Sequence, residues 1–268
     1  MGMNQDQVKA QLLSLKEAPM EFAVIFTGKK SKKVNGLYKI ETREILIHNR
    51  NFDDGSKNSE NLLLYTAIHE YAHHLHACSR GGTLSYRAHT TEYWAILHGL
   101  LEIAQSKGLY RNVFEDSPEL TALTATIQKE YLMENGQLVK DLGKLLIEAQ
   151  DLCVSMGGRF EDYIDRVLCI PRSAAHIAMR MFRYDLEPQL GADNMRFLAG
   201  IPNEEKRSRA EEALLNGRSP DTVKSAIRQT LPEEEPRERL EKEKARLERT
   251  IKALTQRLAQ VEEELGYT

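Results

Sequence analysis

The sequence predicts an α+β fold: a small three-stranded antiparallel sheet packed on helices, then an all-helical stretch, then a coiled coil. Three patterns carry this. Runs rich in β-branched residues with short polar breaks lie between Glu21 and Asn49, apolar residues recur at helical spacing beyond Asn61, and a heptad seam runs through the segment after Glu233.

Taken in order, EFAVIF, VNGLYKI and REILIHN read as three strands. GKKSKK, between the first two, places Lys29, Lys30, Lys32 and Lys33 at a basic hairpin tip, either solvated edge protection or a phosphate contact. After DDGSKNSE, a helix is expected from about Asn61 to Ala77, with Leu64, Ile68, Ala72 and Leu75 on its buried stripe. Gly81 and Gly82 break it. A second helix begins near Thr90 or Thr91, either of which can cap it, and Tyr93, Leu97, Leu100, Leu101 and Ala104 form its apolar face. This unit spans residues 1–112. EDSPEL opens a connector over 113–134, a helical domain follows over 135–231, and 232–268 is a coiled-coil tail. From Leu247 the apolar positions Leu247, Ile251, Leu254, Leu258, Val261 and Leu265 alternate spacings of four and three. Lys244 at a seam position weakens the first heptad. A homodimer through this seam is the expected assembly; a single amphipathic helix docked on its own domain is the alternative.

Composition sets the outer limits. A formal net charge of -3 gives no global field toward nucleic acid or membrane, so such a partner must be met by a local patch. Three scattered cysteines, Cys78, Cys153 and Cys169, fit neither a disulfide framework nor a CxxC knuckle, which points to a reducing cytoplasm. No stretch approaches the length of an apolar membrane span, and the N-terminus lacks the pattern of an export signal. A protein with no membrane partner is expected.

The chemistry sits in TAIHEYAHHLH. His69 and His73, four apart on the expected helix, are about 40° apart around its axis and about 6 Å along it, so two imidazoles can converge on one ion. That geometry suits Zn2+. Glu70 is then the general base, taking a proton from a water and later giving it to a leaving amine. Chance would produce the pattern about 0.03 times in a chain with this His and Glu content. A third ligand is needed, and His89 is the first choice because it follows the glycine break and lies just before the second helix. Glu92 is the alternative. His74 and His76 are expected at the surface or behind the ligands, and His98 is expected to be structural. Tyr71, Tyr86 and Arg87 are polar groups among which spacing selects no oxyanion donor.

The order of strands, HEYAHHLH, a glycine-containing loop and RAHTTEYWAIL resembles the SprT-like metallopeptidases over roughly residues 20–106. His69, Glu70, His73, His89, Tyr93 and Trp94 carry the resemblance. It implies a zinc endopeptidase with His89 as third ligand, rather than the glutamate of IrrE-like and ImmA-like peptidases. It also implies protein substrates, since known members act on proteins crosslinked to DNA. The three cysteines cannot build the zinc ribbon of that family.

RFEDYIDRVLCIPRSAAHIAMR resembles a helix-turn-helix, with helices over Phe160–Leu168 and from Arg172. Its second helix would offer Arg172, Ser173, His176 and Arg180 to DNA, with Arg183 further on. Residues 135–228 also resemble helical domains of phage and mobile-element proteins. Two other functions stay open: a regulatory protease that destroys a repressor or antitoxin of such an element, and a DNA-binding or scaffolding protein with a structural zinc site.

Overall fold

The computed structural model describes residues 3–53, 57–82, 88–229 and 236–265. The chain divides into two compact units, Met1–Ser225 and Ala226–Thr268.

The first unit opens with a helix absent from the sequence expectations, α1 (Gln5–Leu15). Asn4 and Gln7 cap it reciprocally, each side chain accepting from the other's backbone N–H at 2.9 Å. Val8 and Leu12 are fully buried against the sheet and the helices that follow.

Three strands appear where expected, β1 (Ala23–Phe26), β2 (Gly36–Lys39) and β3 (Glu44–Ile47), but their sheet is mixed rather than antiparallel. The order is β1-β3-β2, with β3 antiparallel to β2 and parallel to β1. The reason lies in the connections. Residues 40–43 form a tight return that pairs β2 with β3, whereas residues 27–35 are long enough to carry the chain across the end of β3. The four lysines therefore lie on a crossover, not a hairpin tip. Residues just after β3 pin that crossover. Thr27 Oγ1 meets His48 Nδ1 at 2.9 Å, and Gly28 N–H donates to Asn49 Oδ1 at 2.9 Å. The Asn51 side chain donates to Ser31 O (2.9 Å) and Asn35 Oδ1 (2.8 Å) and accepts from Ser31 N (3.0 Å).

Helix α2 runs over Lys57–Ser79, starting earlier than the periodicity indicates, and α3 over Thr91–Ser106. Thr90 caps α3, its hydroxyl accepting from Tyr93 N–H. Ile68 and Ala72 of α2, Tyr93 and Leu97 of α3, and Ile45 and Ile47 of β3 share one core with Val8 and Leu12.

Beyond it the chain is helical: α4 (Pro118–Thr126), a wide-turn segment (Ile127–Met133), then α5 (Glu134–Ser155). The expected connector is thus itself helical. Next come α6 (Phe160–Tyr163), a second wide-turn segment (Ile164–Leu168), α7 (Arg172–Arg183), α8 (Gly191–Ala199), α9 (Glu204–Leu215) and α10 (Pro220–Gln229). Leu146, Phe160, Ile164, Ala175, Ala178 and Met179 form a second core. α5 and α7 come close because a Cβ at Gly143 would collide with the Ala178 backbone. The second unit holds one long helix, α11 (Pro236–Glu264). Among the described residues, no helix is long and apolar enough to cross a membrane.

Asn51→Ala removes three hydrogen bonds from a half-buried crossover and leaves Ser31 and Asn35 groups unpaired. A loss of roughly 1–3 kcal/mol is expected, read as a lowered urea midpoint at unchanged slope.

Candidate metal centre

His69 and His73 leave one face of α2 a turn apart, and His89 reaches the same point from the segment that leads into α3. Their ligand nitrogens all lie within 4.8 Å of one another. His69 Nε2 and His89 Nε2 are 3.4 Å apart. The three residues can hold a metal ion. Glu92 is not in the cluster; its charge acts on His76 instead.

Aromatic contacts fix the rings. His73 stacks on Tyr93 with centroids 4.2 Å apart, and His89 lies 4.7 Å from Tyr93 and 5.4 Å from Trp94. Tyr93 is fully buried and donates from its hydroxyl to His69 O at 3.3 Å. One aromatic residue of α3 therefore touches all three imidazoles or their backbone. Trp94 in turn stacks on His98, whose Nδ1 lies 2.6 Å from Ser219 Oγ at the start of α10. The structural role expected of His98 thus joins α3 to the helical part of the unit.

Glu70 is 7% exposed and packs on β2. A Cβ at Gly36 would come within 2.9 Å of Glu70 Cγ and 2.8 Å of Thr66 Cγ2, so only glycine allows this approach. Burial pushes the Glu70 carboxyl up to about 7, while the Tyr38 backbone N–H beside it works the other way. Burial, reinforced by the neighbouring imidazoles, pushes His69 down to about 4 and His73 to about 3. Neutral imidazole is the form that binds metal.

The other histidines of α2 are not at the surface. His74 is fully buried between Tyr38 OH (3.0 Å) and Met20 O (3.0 Å), and His76, 1% exposed, meets Thr90 Oγ1 at 3.2 Å. His76 thereby braces the cap of α3 next to His89. Tyr71 faces the core and donates to Lys16 O at 2.6 Å, away from the histidine cluster. Tyr86 and Arg87 lie outside the described residues. A cavity of about 280 Å³ lined by Met20, Tyr38, Arg43 and Cys78 contains none of the three clustered histidines.

Sequence reasoning missed three contributors. Gly36 carries no local signal, because its need is set by a distant helix. Tyr65, four residues before His69, shares its face; their rings are 6.4 Å apart, and Tyr110 lies 6.1 Å beyond. The i, i+4 spacing to His69 was the available clue.

Helical segments cover Phe160–Leu168 and Arg172–Arg183, the two stretches expected to be helical, and Cys169 between them takes the left-handed turn conformation with φ 54°. Their cations are less free than the sequence suggests. Arg172 is paired with Asp165, His176 packs edge-on at 6.4 Å from the Phe160 ring, and Arg180 is half-buried with its Nε unpartnered. Ser173 is exposed.

The chain matches no family model, no curated protein and no solved structure.

His69, His73, His74 and His76 are all held below their ordinary 6.5 by burial, so the unfolded chain takes up protons at these groups first. Stability of the metal-free protein is expected to fall as pH drops from 6.5 toward the folded-state values. Glu70, raised from 4.5 to about 7, opposes this as one group against four. Thermal melts of chelator-stripped protein near pH 7.5 and 5.5 read the difference; a midpoint that holds or rises at the lower pH contradicts it.

Proposed function

We propose that this chain is a zinc-dependent endopeptidase in which His69, His73 and His89 hold the metal and Glu70 is the general base. The observation that carries the reading is the convergence of three imidazoles beside one buried carboxylate. The donor set fits zinc. Two nitrogens bound tetrahedrally at about 2.0–2.1 Å stand about 3.4 Å apart, which matches the 3.4 Å between His69 and His89. Three protein ligands leave a fourth position open, as a catalytic rather than a structural site requires.

Zinc, when bound, supplies a Lewis acid that polarises a carbonyl and acidifies a water. Glu70, adjacent to His69 and poised near neutrality by burial, takes the proton of the attacking water and returns it to the leaving amine. Gly36 lets β2 lie against that carboxylate and sets where it can move. Tyr93 holds the His69 backbone and the His73 ring, so the ligands are arranged before the metal arrives.

A polypeptide substrate is supported by β2 itself, an edge strand. Asn35 accepts from His48, so Leu37 and Lys39 continue the pairing to β3 while the backbone groups of Gly36 and Tyr38 point outward next to Glu70. An extended peptide can pair along such an edge. Delivery to DNA has less behind it. Arg172 is committed to Asp165, and His176 and Arg180 are half-buried, so no DNA step is assigned to α7.

Purified protein is expected to carry one zinc per chain and to cleave unfolded protein substrates until a chelator removes the metal. Glu70→Gln should retain zinc yet lose about 10²–10⁴-fold in kcat. Zinc-free protein, or cleavage undiminished in Glu70→Gln, defeats the proposal. Gly36→Ala is expected to keep stoichiometric zinc and lower kcat on the order of 10²-fold by displacing Glu70. Unchanged turnover in that variant would show that the close packing on β2 does not position the base.

A further inference from the structure

We infer that the α11 tail binds a second copy of this chain as a parallel two-stranded coiled coil. The tail's own sequence carries this pairing, independently of the proposed chemistry. Leu247, Ile251, Leu254, Leu258 and Leu265 are from 49% (Leu247) to 65% (Leu254) exposed on a helix whose other faces are charged or polar. A lone helix offers its own stripe no second layer. The spacing assigns Lys244, Ile251, Leu258 and Leu265 to a positions and Leu247, Leu254 and Val261 to d positions. Ile251 at a followed by Leu254 at d, at the centre of the seam, favours two strands, a bias that the next heptad, Leu258 at a and Val261 at d, does not share; a single polar a residue, Lys244, fixes register.

Charge decides the direction. In parallel register Arg257 at g faces the partner's Glu262 at e, so two such pairs form across the dimer; Thr250 faces Thr255 without cost, and Glu243 at g facing Glu248 at e is the one like-charge pairing of this kind. An antiparallel partner aligned on the same core sets Thr250 against Arg257 and Glu241 against Glu262, adding repulsion and no attraction. Within one helix Arg257 reaches only Gln260 at 3.4 Å, and Lys244 already pairs with Glu248 at 3.7 Å. Arg257 therefore keeps its charge for a partner. Parallel strands also bring both chains into the rod at the same end, so the two Met1–Ser225 units are tethered near one another and can act on one substrate assembly.

Sedimentation equilibrium of the full-length protein at micromolar concentration is expected to give a dimer. Ile251→Glu with Leu258→Glu is expected to give a monomer that keeps the near-UV circular dichroism of the first unit. A wild-type monomer overturns the proposal, as does a trimer or tetramer. Direction is read separately. Arg257→Glu should raise the dimer Kd by about tenfold, and adding Glu262→Arg should restore it. An antiparallel pair leaves the single reversal without effect, and that result overturns the orientation.

Discussion

Helix α2 buries Glu70, His73, His74 and His76 within two turns, and each of these ionisable groups must be matched or kept neutral by something outside the helix. Their partners come from every side: β2 against Glu70, Tyr93 against His73, Tyr38 and Met20 against His74, and Thr90 against His76. These contacts dictate where the edge strand, the chain before β1 and the start of α3 must sit. The sheet and α3 are therefore a shell around the polar faces of one helix as much as they are a hydrophobic core. A metal ion would bring together the two elements that this shell already holds side by side, α2 and the segment leading into α3.

The grouping of His69 with His73 was legible in the sequence because its signal is local. His69 and His73 share a face by helical geometry alone, and Thr90 announces the start of α3 by capping chemistry. His89 needed a longer inference, from a glycine break that turns the chain back. Strand order was not legible, since β-branched runs reveal strands but not which neighbour they choose. The parallel pairing of β1 with β3 depends on a crossover held by Asn49 and Asn51, residues whose role is visible only once the fold brings them beside Gly28 and Ser31. The burial of His74 and His76 was hidden for a related reason. A polar residue on a helix reads as exposed until its tertiary partner is known.

The helical part shows the opposite balance. Its elements begin and end close to the breaks in the sequence, yet the role of its cations changed. Arg172 looked free because no acidic residue follows it in α7, but Asp165 reaches it from the preceding wide turn. Close packing of α5 on α7 at Gly143 likewise draws Ala178 and Met179 inward and leaves Arg180 half-buried. Charge read along one helix misses charge supplied across a turn.

The strand order has a consequence for how the sheet beside the histidine cluster assembles. The β2–β3 return is local and can form on the microsecond timescale of a hairpin. β1 is paired to β3 about twenty residues away in sequence, so it docks only after a loop-closure cost that the hairpin does not meet. During synthesis β1 leaves the ribosome first, yet the strand it pairs with is the last of the three to emerge. Until β3 emerges, the apolar face of β1 has α1 as its local cover, which gives the N-terminal helix a protective part in folding as well as a place in the finished core.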